Sequence, residues 1–252
     1  MVFMQLSQIE EISILTSIPI HVNNSKNVLN WIGSGCFINY KEHYVFLTVL
    51  HVVKRATPYI WSDFDPQQGC KLIQIYPVPF ASYSLKKKRG HLKDFAFQVF
   101  SDIPNIYYLE NDKEGNLVRS NRYTIKTNLN TIPNADEEYA FAGFVNADLQ
   151  NNPIVNTKFD KVLSQELKVY SHLKYVKSSG DYHIFKLPNN DYESCDLQGT
   201  SGAPILDSKG NLVSLVSRGR ITKNGDEWFI QGIDLSQIDI KTVLDIATGQ
   251  IK

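Results

Sequence analysis

Apolar, β-branched and aromatic residues gather in short runs along this chain, and clusters of Gly, Asn, Asp and Pro separate them. The runs are Ser17 to Val22, Gly35 to Tyr40, Tyr44 to Leu50, Cys70 to Val78, Asp94 to Phe100, Tyr139 to Phe144, Leu167 to Val176, Tyr182 to Leu187, Leu212 to Val216 and Glu227 to Ile233. Runs of this length with turn-forming punctuation predict many strands joined by turns. Leu235 to Ile251 differs, because Ile238, Val243, Leu244 and Ile246 fall near helical spacing. The pattern therefore predicts an all-β fold with one C-terminal α-helix. Periodicity alone does not separate a sandwich from a barrel.

The longest turn-rich stretch, Asn146 to Lys158, lies between two strand-like regions, yet nothing after it reads as an independent core. A division falls more naturally near Lys126 to Asp136, between two halves of one folding unit. A length of 252 residues suits one large domain or two small ones. With 26 basic and 26 acidic residues the net charge is zero, which argues against a nucleic-acid partner. Lys86-Lys87-Lys88-Arg89 is the one dense basic run and reads as a solvated loop. No apolar stretch approaches the roughly 20 residues of a membrane span. Met1 to Ile20 lacks the basic start of a secretory signal, so a cytoplasmic location without membrane contact is expected. Cys36, Cys70 and Cys195 form no C-x-x-C pair, and no histidine spacing suggests a metalloenzyme. No disulfide framework, metal or cofactor is expected.

Candidate chemistry begins at Gly199-Thr200-Ser201-Gly202-Ala203-Pro204. Glycines flanking a serine permit backbone conformations barred to other residues and close approach of a substrate to the amides. A plain glycine-rich turn is the competing reading. All six histidines (His21, His43, His51, His91, His172 and His183) precede Ser201, which excludes the α/β-hydrolase order, and Ala203 breaks its G-x-S-x-G elbow. No aspartate precedes position 63, so a subtilisin-like order would require His91 or a later histidine. The order histidine, aspartate, serine remains. His51 ends the apolar run Tyr44 to Leu50, where a strand can fix a general base, although a histidine beside apolar residues is more often simply packed. Asp94 heads Asp94-Phe95-Ala96-Phe97-Gln98-Val99-Phe100, and a partly buried carboxylate needs a partner such as an imidazole N–H. Asp63, Asp65 and Asp102 are competitors in looser contexts.

Three blocks together resemble the chymotrypsin-like (trypsin-fold) serine peptidases, particularly bacterial members without disulfides. They are Gly33-Ser34-Gly35-Cys36-Phe37-Ile38 running to Leu47-Thr48-Val49-Leu50-His51-Val52-Val53, then Lys93-Asp94-Phe95-Ala96, then Gly199 to Pro204 followed by Leu212-Val213-Ser214. The resemblance spans about residues 15–247, and Asn105 to Ser164 carries no matching motif. It implies two six-stranded antiparallel barrels, about 15–125 and about 136–234, with the helix at about 235–251. It further implies a serine endopeptidase acting through an acyl-enzyme, with His51, Asp94 and Ser201 catalytic and Gly199 and Ser201 supplying the oxyanion-hole amides, at about 3 to 4 kcal/mol per donor. By match, Ser214 would hydrogen-bond Asp94, Ser214 to Val216 would form the edge that pairs with substrate, and Cys195 and Asp196 would sit at the pocket base. Asp196 would favour Lys or Arg there, and Val216, if it narrowed the entrance, small apolar residues.

Two departures stand out. Thr200 replaces the aspartate that pairs with a cut amino terminus in secreted relatives, so activation by that route is not expected, and ordering of the Glu193 to Thr200 loop becomes a means of control. Ala203 replaces a glycine, which a negative φ would accommodate. The partners implied are a protein or peptide substrate and, as for free-standing bacterial relatives, a sensor or pore-forming protein. The alternative is a catalytically silent trypsin-fold module that binds a peptide or partner.

Overall fold

The computed structural model describes residues 7–23, 28–54, 57–61, 72–84, 89–112, 114–126, 131–146, 154–156, 159–162, 165–188, 197–221, 227–237, 240–247 and 249. The chain opens with a helix that periodicity does not predict, α1 (Gln8–Thr16). Ile9, Ile12, Ile14 and Leu15 do not form one stripe, but Ser7-x-x-Glu10 is a helix-start signature. The Ser7 N–H and hydroxyl each donate to Glu10 Oε2 at 2.8 Å.

Seven strands follow: β1 (Ile18–Asn23), β2 (Val28–Tyr40), β3 (His43–Thr48), β4 (Pro58–Trp61), β5 (Leu72–Gln74), β6 (Val78–Ser84) and β7 (Arg89–Phe100), with the short helix α2 (Leu50–Val53) after β3. They pair antiparallel in the order β5-β4-β1-β2-β3-β7-β6. This half is a half-barrel, since among the described residues β5 and β6 do not pair with each other. A hairpin absent from the predicted runs, β8 (Tyr107–Asn111) and β9 (Leu117–Asn121), precedes β10 (Thr124–Lys126), which lies parallel to β2.

β11 (Glu138–Asn146) then begins the second half, and the small pair β12 (Ile154–Asn156) and β13 (Phe159–Val162) returns to lie against β2. β14 (Gln165–Ser179), β15 (Tyr182–Lys186), β16 (Pro204–Asp207), β17 (Leu212–Ile221) and β18 (Trp228–Asp234) complete a closed six-stranded barrel with β11, in the order β11-β14-β15-β18-β17-β16. The predicted helix is shorter than the sequence suggested: a 3-10 turn at Leu235–Gln237 comes first, and α3 runs over Ile240–Ala247.

β16 and β17 explain how two cores share one wall. Ile205, Val213 and Val216 point into the closed barrel with Phe141, Phe185 and Ile230. Leu206, Leu212 and Leu215 join the first core, which also takes Leu244 of α3. A continuous apolar run is the signature of a strand buried on both faces.

The terminal helices strap the two halves reciprocally. α1 lies on β11, β14 and β16 of the second barrel, where Glu10 Oε1 accepts from Ser171 Oγ at 2.7 Å. α3 is tied to the first half, as buried Asp245 accepts from Tyr40 OH at 2.7 Å and Lys41 Nζ at 2.6 Å. The connector between the halves completes α1. Buried Arg122 donates through Nη1 to the carbonyls of Ile14 at 2.7 Å and Ser17 at 2.5 Å. A cation there opposes the negative end of the helix dipole. The same guanidinium lies 5.4 Å from the ring centroid of Phe144 on β11.

Replacing Arg122 with Ala leaves those buried carbonyls without their donor and is expected to cost about 2 to 4 kcal/mol. Urea denaturation measures it, and a loss below about 0.5 kcal/mol would mean that water serves the carbonyls equally well.

Candidate active site

His51 lies on α2, one turn beyond the end of β3, rather than at the strand end itself. As the second residue of a helix its N–H has no intrahelical acceptor. Asp94 Oδ1 takes that N–H at 2.9 Å. The same carboxylate accepts from His51 Nδ1, at 2.8 Å to Oδ2 and 3.0 Å to Oδ1. A carboxylate only accepts, so the neutral imidazole carries its proton on Nδ1 and turns Nε2 away from Asp94. Asp94 reaches the ring because β7 pairs with β3 in a register that sets Ala96 opposite Thr48. The Asp94 side chain is 18% exposed and His51 43%, so the imidazole stands between a sheltered carboxylate and the solvent cleft.

Ser201 comes from the loop before β16, whose backbone is pinned at almost every peptide. Ser34 of β2 donates its N–H to the Ser201 carbonyl at 2.7 Å and its hydroxyl to the Gly199 carbonyl at 3.2 Å. Ala203 N–H donates to Thr200 O at 2.9 Å, and Gly202 N–H to Val216 O at 2.7 Å. Thr200, 1% exposed, turns both its N–H and its hydroxyl onto Leu197 O, at 3.3 and 2.9 Å. These bonds leave the amides of Gly199 and Ser201 as donors with no acceptor among the described residues. Two glycines are required here. Gly202, at φ +90°, would place a Cβ 1.9 Å from Ser34 O, and Gly199, at φ +91°, 1.2 Å from the ring of Trp31. Ala203 is not among the residues with positive φ and packs in the barrel core.

The third serine of the site is Ser217, and it corrects the expectation for Ser214. Ser217 Oγ donates to Asp94 Oδ2 at 2.8 Å, and its carbonyl accepts from Ser201 Oγ at 3.1 Å. Ser214 instead donates to Ile233 O at 2.7 Å and is fully buried. A β-bulge is the reason: the β17–β18 register shifts between Val216, opposite Gly232, and Arg218, opposite Gln231. Ser217 is the extra residue, and a bulge re-aims a side chain in this way. Val216 is likewise not at an entrance. It is 0% exposed inside the barrel, with its N–H and carbonyl taken by Ala203 and Gly202. β16 pairs with β17 only as far as Leu215, so among the described residues the free edge begins at Ser217 rather than Ser214.

His51, Leu197, Gln198, Ser201, Ser217, Arg218, Gly219 and Trp228 line one cleft of about 360 Å³. Gly219 permits Leu197 to approach, since a Cβ there would lie 2.4 Å from Leu197 Cδ1. Cys195 and Asp196 lie outside the described residues, as do Asp63, Asp65 and Cys70. Asp102 is exposed and accepts only a 3.4 Å bond from Ser101. Burial by itself would raise the Asp94 carboxyl. The hydrogen bonds and charge of His51, its backbone N–H and the Ser217 hydroxyl outweigh that and hold it below the usual range.

A second histidine–aspartate pair exists, His183 Nε2 with Asp234 Oδ1 at 3.3 Å, and Ser178 bonds His183 Nδ1 at 2.9 Å. It is a cross-strand network over β14, β15 and β18 around a histidine only 3% exposed. His21 is fully buried, which pushes its pKa down to about 3 and keeps it neutral.

No protein-family model matches the chain, and no curated protein matches it by sequence. Solved structures do resemble its fold. The crystal structure of the serine endoprotease from Yersinia pestis aligns with a TM-score of 0.52 and 16% identity, over 99% of this chain and 69% of that one. The MamO protease domain from Magnetospirillum magneticum aligns with a TM-score of 0.46 and 9% identity, over 92% and 97%. The first likeness, with the closed barrel and half-barrel, shows the trypsin-like double-barrel fold.

The depressed Asp94 value makes a pH prediction. Its contribution to stability is present above the unfolded value near 3.8 and is lost as pH falls through the lower folded value. Urea denaturation of wild type and Asp94→Asn is expected to show a gap at neutral pH that closes below about pH 4. A gap constant down to about pH 2 would contradict the depressed carboxyl.

Proposed function

We propose that this protein is a serine endopeptidase acting through an acyl-enzyme on Ser201. The observation that carries the reading is the continuous contact from His51 Nδ1 through Asp94 and Ser217 to the Ser201 hydroxyl, with His51 and Ser201 facing one cleft. Ser201 Oγ attacks a peptide carbonyl as His51 Nε2 takes its proton, and the imidazolium returns that proton to the leaving amine. Asp94 fixes the tautomer and offsets the charge that forms on the ring. The amides of Gly199 and Ser201 receive the oxyanion, the charge that most needs stabilising. Water then repeats the sequence on the acyl-enzyme.

The resting hydroxyl donates to Ser217 O rather than to His51, so a rotation about the Ser201 side chain precedes proton transfer. That contact is also what a silent binding module would show, and it keeps the second reading open. A fluorophosphonate probe separates them, because only an activated serine reacts. Support for a loop that needs no processed terminus comes from Thr200, which satisfies its own polar groups on Leu197 O.

Wild type is expected to label with the probe and to cleave peptides, and Ser201→Ala to do neither while remaining folded. Absence of labelling in a folded wild-type protein would defeat the peptidase reading. Asp94→Asn should lower kcat by about 10⁴ through the wrong tautomer, and a loss below roughly tenfold would remove Asp94 from the mechanism.

Ser34→Ala removes the hydroxyl that holds the Gly199 carbonyl while keeping the backbone bond to Ser201. A drop on the order of 10- to 100-fold in kcat with little change in KM is expected from a misplaced oxyanion amide. An unchanged kcat would show that the loop holds its shape without Ser34 Oγ.

A further inference from the structure

The cleft carries a cation that the acyl-transfer chemistry does not use. Arg218 lines it beside His51, Ser201 and Trp228, one residue beyond the bulge at Ser217. Its side chain is exposed, and no carboxylate pairs with it among the described residues. Its cross-strand neighbour is the neutral Gln231. Asp94, the other charged group at the nucleophile, is already engaged by His51 and Ser217. A guanidinium held at the wall of a concave site, with no counter-ion among the described residues, attracts an incoming carboxylate and repels an incoming cation.

The strand geometry says where that carboxylate comes from. β17 loses its β16 partner after Leu215, so among the described residues the backbone of Ser217 to Gly219 presents a free edge at the cleft. An extended peptide adds to such an edge as a further strand. Every neighbouring pair in this barrel is antiparallel. Because Ser217 touches the Ser201 hydroxyl, antiparallel addition puts the scissile carbonyl at the Ser217 end. The residues that precede it in the peptide then run past Arg218 and Gly219.

We infer that Arg218 selects substrates bearing Asp or Glu within about three residues on the amino-terminal side of the cleaved bond, an inference that rests on the peptidase reading of this cleft. This preference is separate from the pocket-base expectation at Asp196.

The test uses the full chain and a pool of acetylated peptides with one position randomised at a time, cleavage sites being read by mass spectrometry. Wild type is expected to enrich Asp and Glu at one of those positions by about tenfold, the enrichment shrinking as salt rises. Arg218→Gln should lose it and Arg218→Glu should turn it toward Lys and Arg. In parallel, fluorescence anisotropy compares Ser201→Ala with the Ser201→Ala, Arg218→Gln double variant on an acidic peptide and its Asn/Gln counterpart. Cleavage without acidic enrichment, or enrichment that survives Arg218→Gln, overturns the inference and leaves the peptidase reading standing. No cleavage by wild type, but acid-selective binding that Arg218→Gln removes, supports the selection and defeats the peptidase reading. No cleavage and no selective binding overturn both.

Discussion

One backbone hydrogen bond sets the frame for the cleft: the Ser34 N–H of the first half on the Ser201 carbonyl of the second, at 2.7 Å. Main chain bonded to main chain fixes no side-chain rotamers, so it adds no side-chain entropy cost to that of ordering the backbone. The approach is close enough to dictate composition around it. Gly202 cannot carry a Cβ because Ser34 O lies in its place, and Thr48, three residues before His51, donates to that same carbonyl at 2.8 Å. The strand that leads to His51 and the loop that carries Ser201 are therefore registered against one residue, Ser34. Loss of that contact would move the two candidate reacting groups relative to each other, although each would keep its own barrel.

Asp94 repeats the arrangement in electrostatic form. Its carboxylate receives two donors from α2 of the first half and one from the bulge of the second. A sheltered carboxylate without donors would be costly, and with these it stays ionised. Because Ser217 belongs to the other barrel, one of the donors that hold the Asp94 carboxyl down is supplied only when the two halves are docked. The straps have a physical role in this. α1 fastens the start of the chain to the second barrel, and α3 fastens the end to the first, so separation of the halves would strip both helices of their partners.

The sequence made the all-β architecture readable because the strand runs are bounded by turn residues, and made His51, Asp94 and Ser201 candidates through their strand and glycine contexts together with the family resemblance. What it hid has local causes. Leu212-Val213-Ser214-Leu215-Val216-Ser217 repeats a three-residue unit, so two serines offer themselves for one place, and only the bulge decides between them. Ser217-Arg218-Gly219 supplies the cleft wall that Ser214 to Val216 was expected to form. The role of Ser34 was unreadable, for a serine in a glycine-flanked strand resembles any other until the second barrel is placed against it. α1 escaped because its apolar residues form no single stripe at helical spacing.

Thr200 shows how a loop of this kind can be set without an ion pair. A charge at that position would have to be neutralised inside the protein, since a buried carboxylate needs a cation or several donors. Threonine turns that long-range requirement into a local one. Its N–H and hydroxyl share the Leu197 carbonyl within a single turn, and its side chain lies against Gly143, where a Cβ would come within 2.7 Å of the threonine methyl. The turn that aims the amides of Gly199 and Ser201 is thus closed by atoms of the loop itself, by Ser34 and by the floor of β11. Any event that displaces β11 would reach those amides directly, through the contact of Gly143 with Thr200, which involves neither His51 nor Asp94.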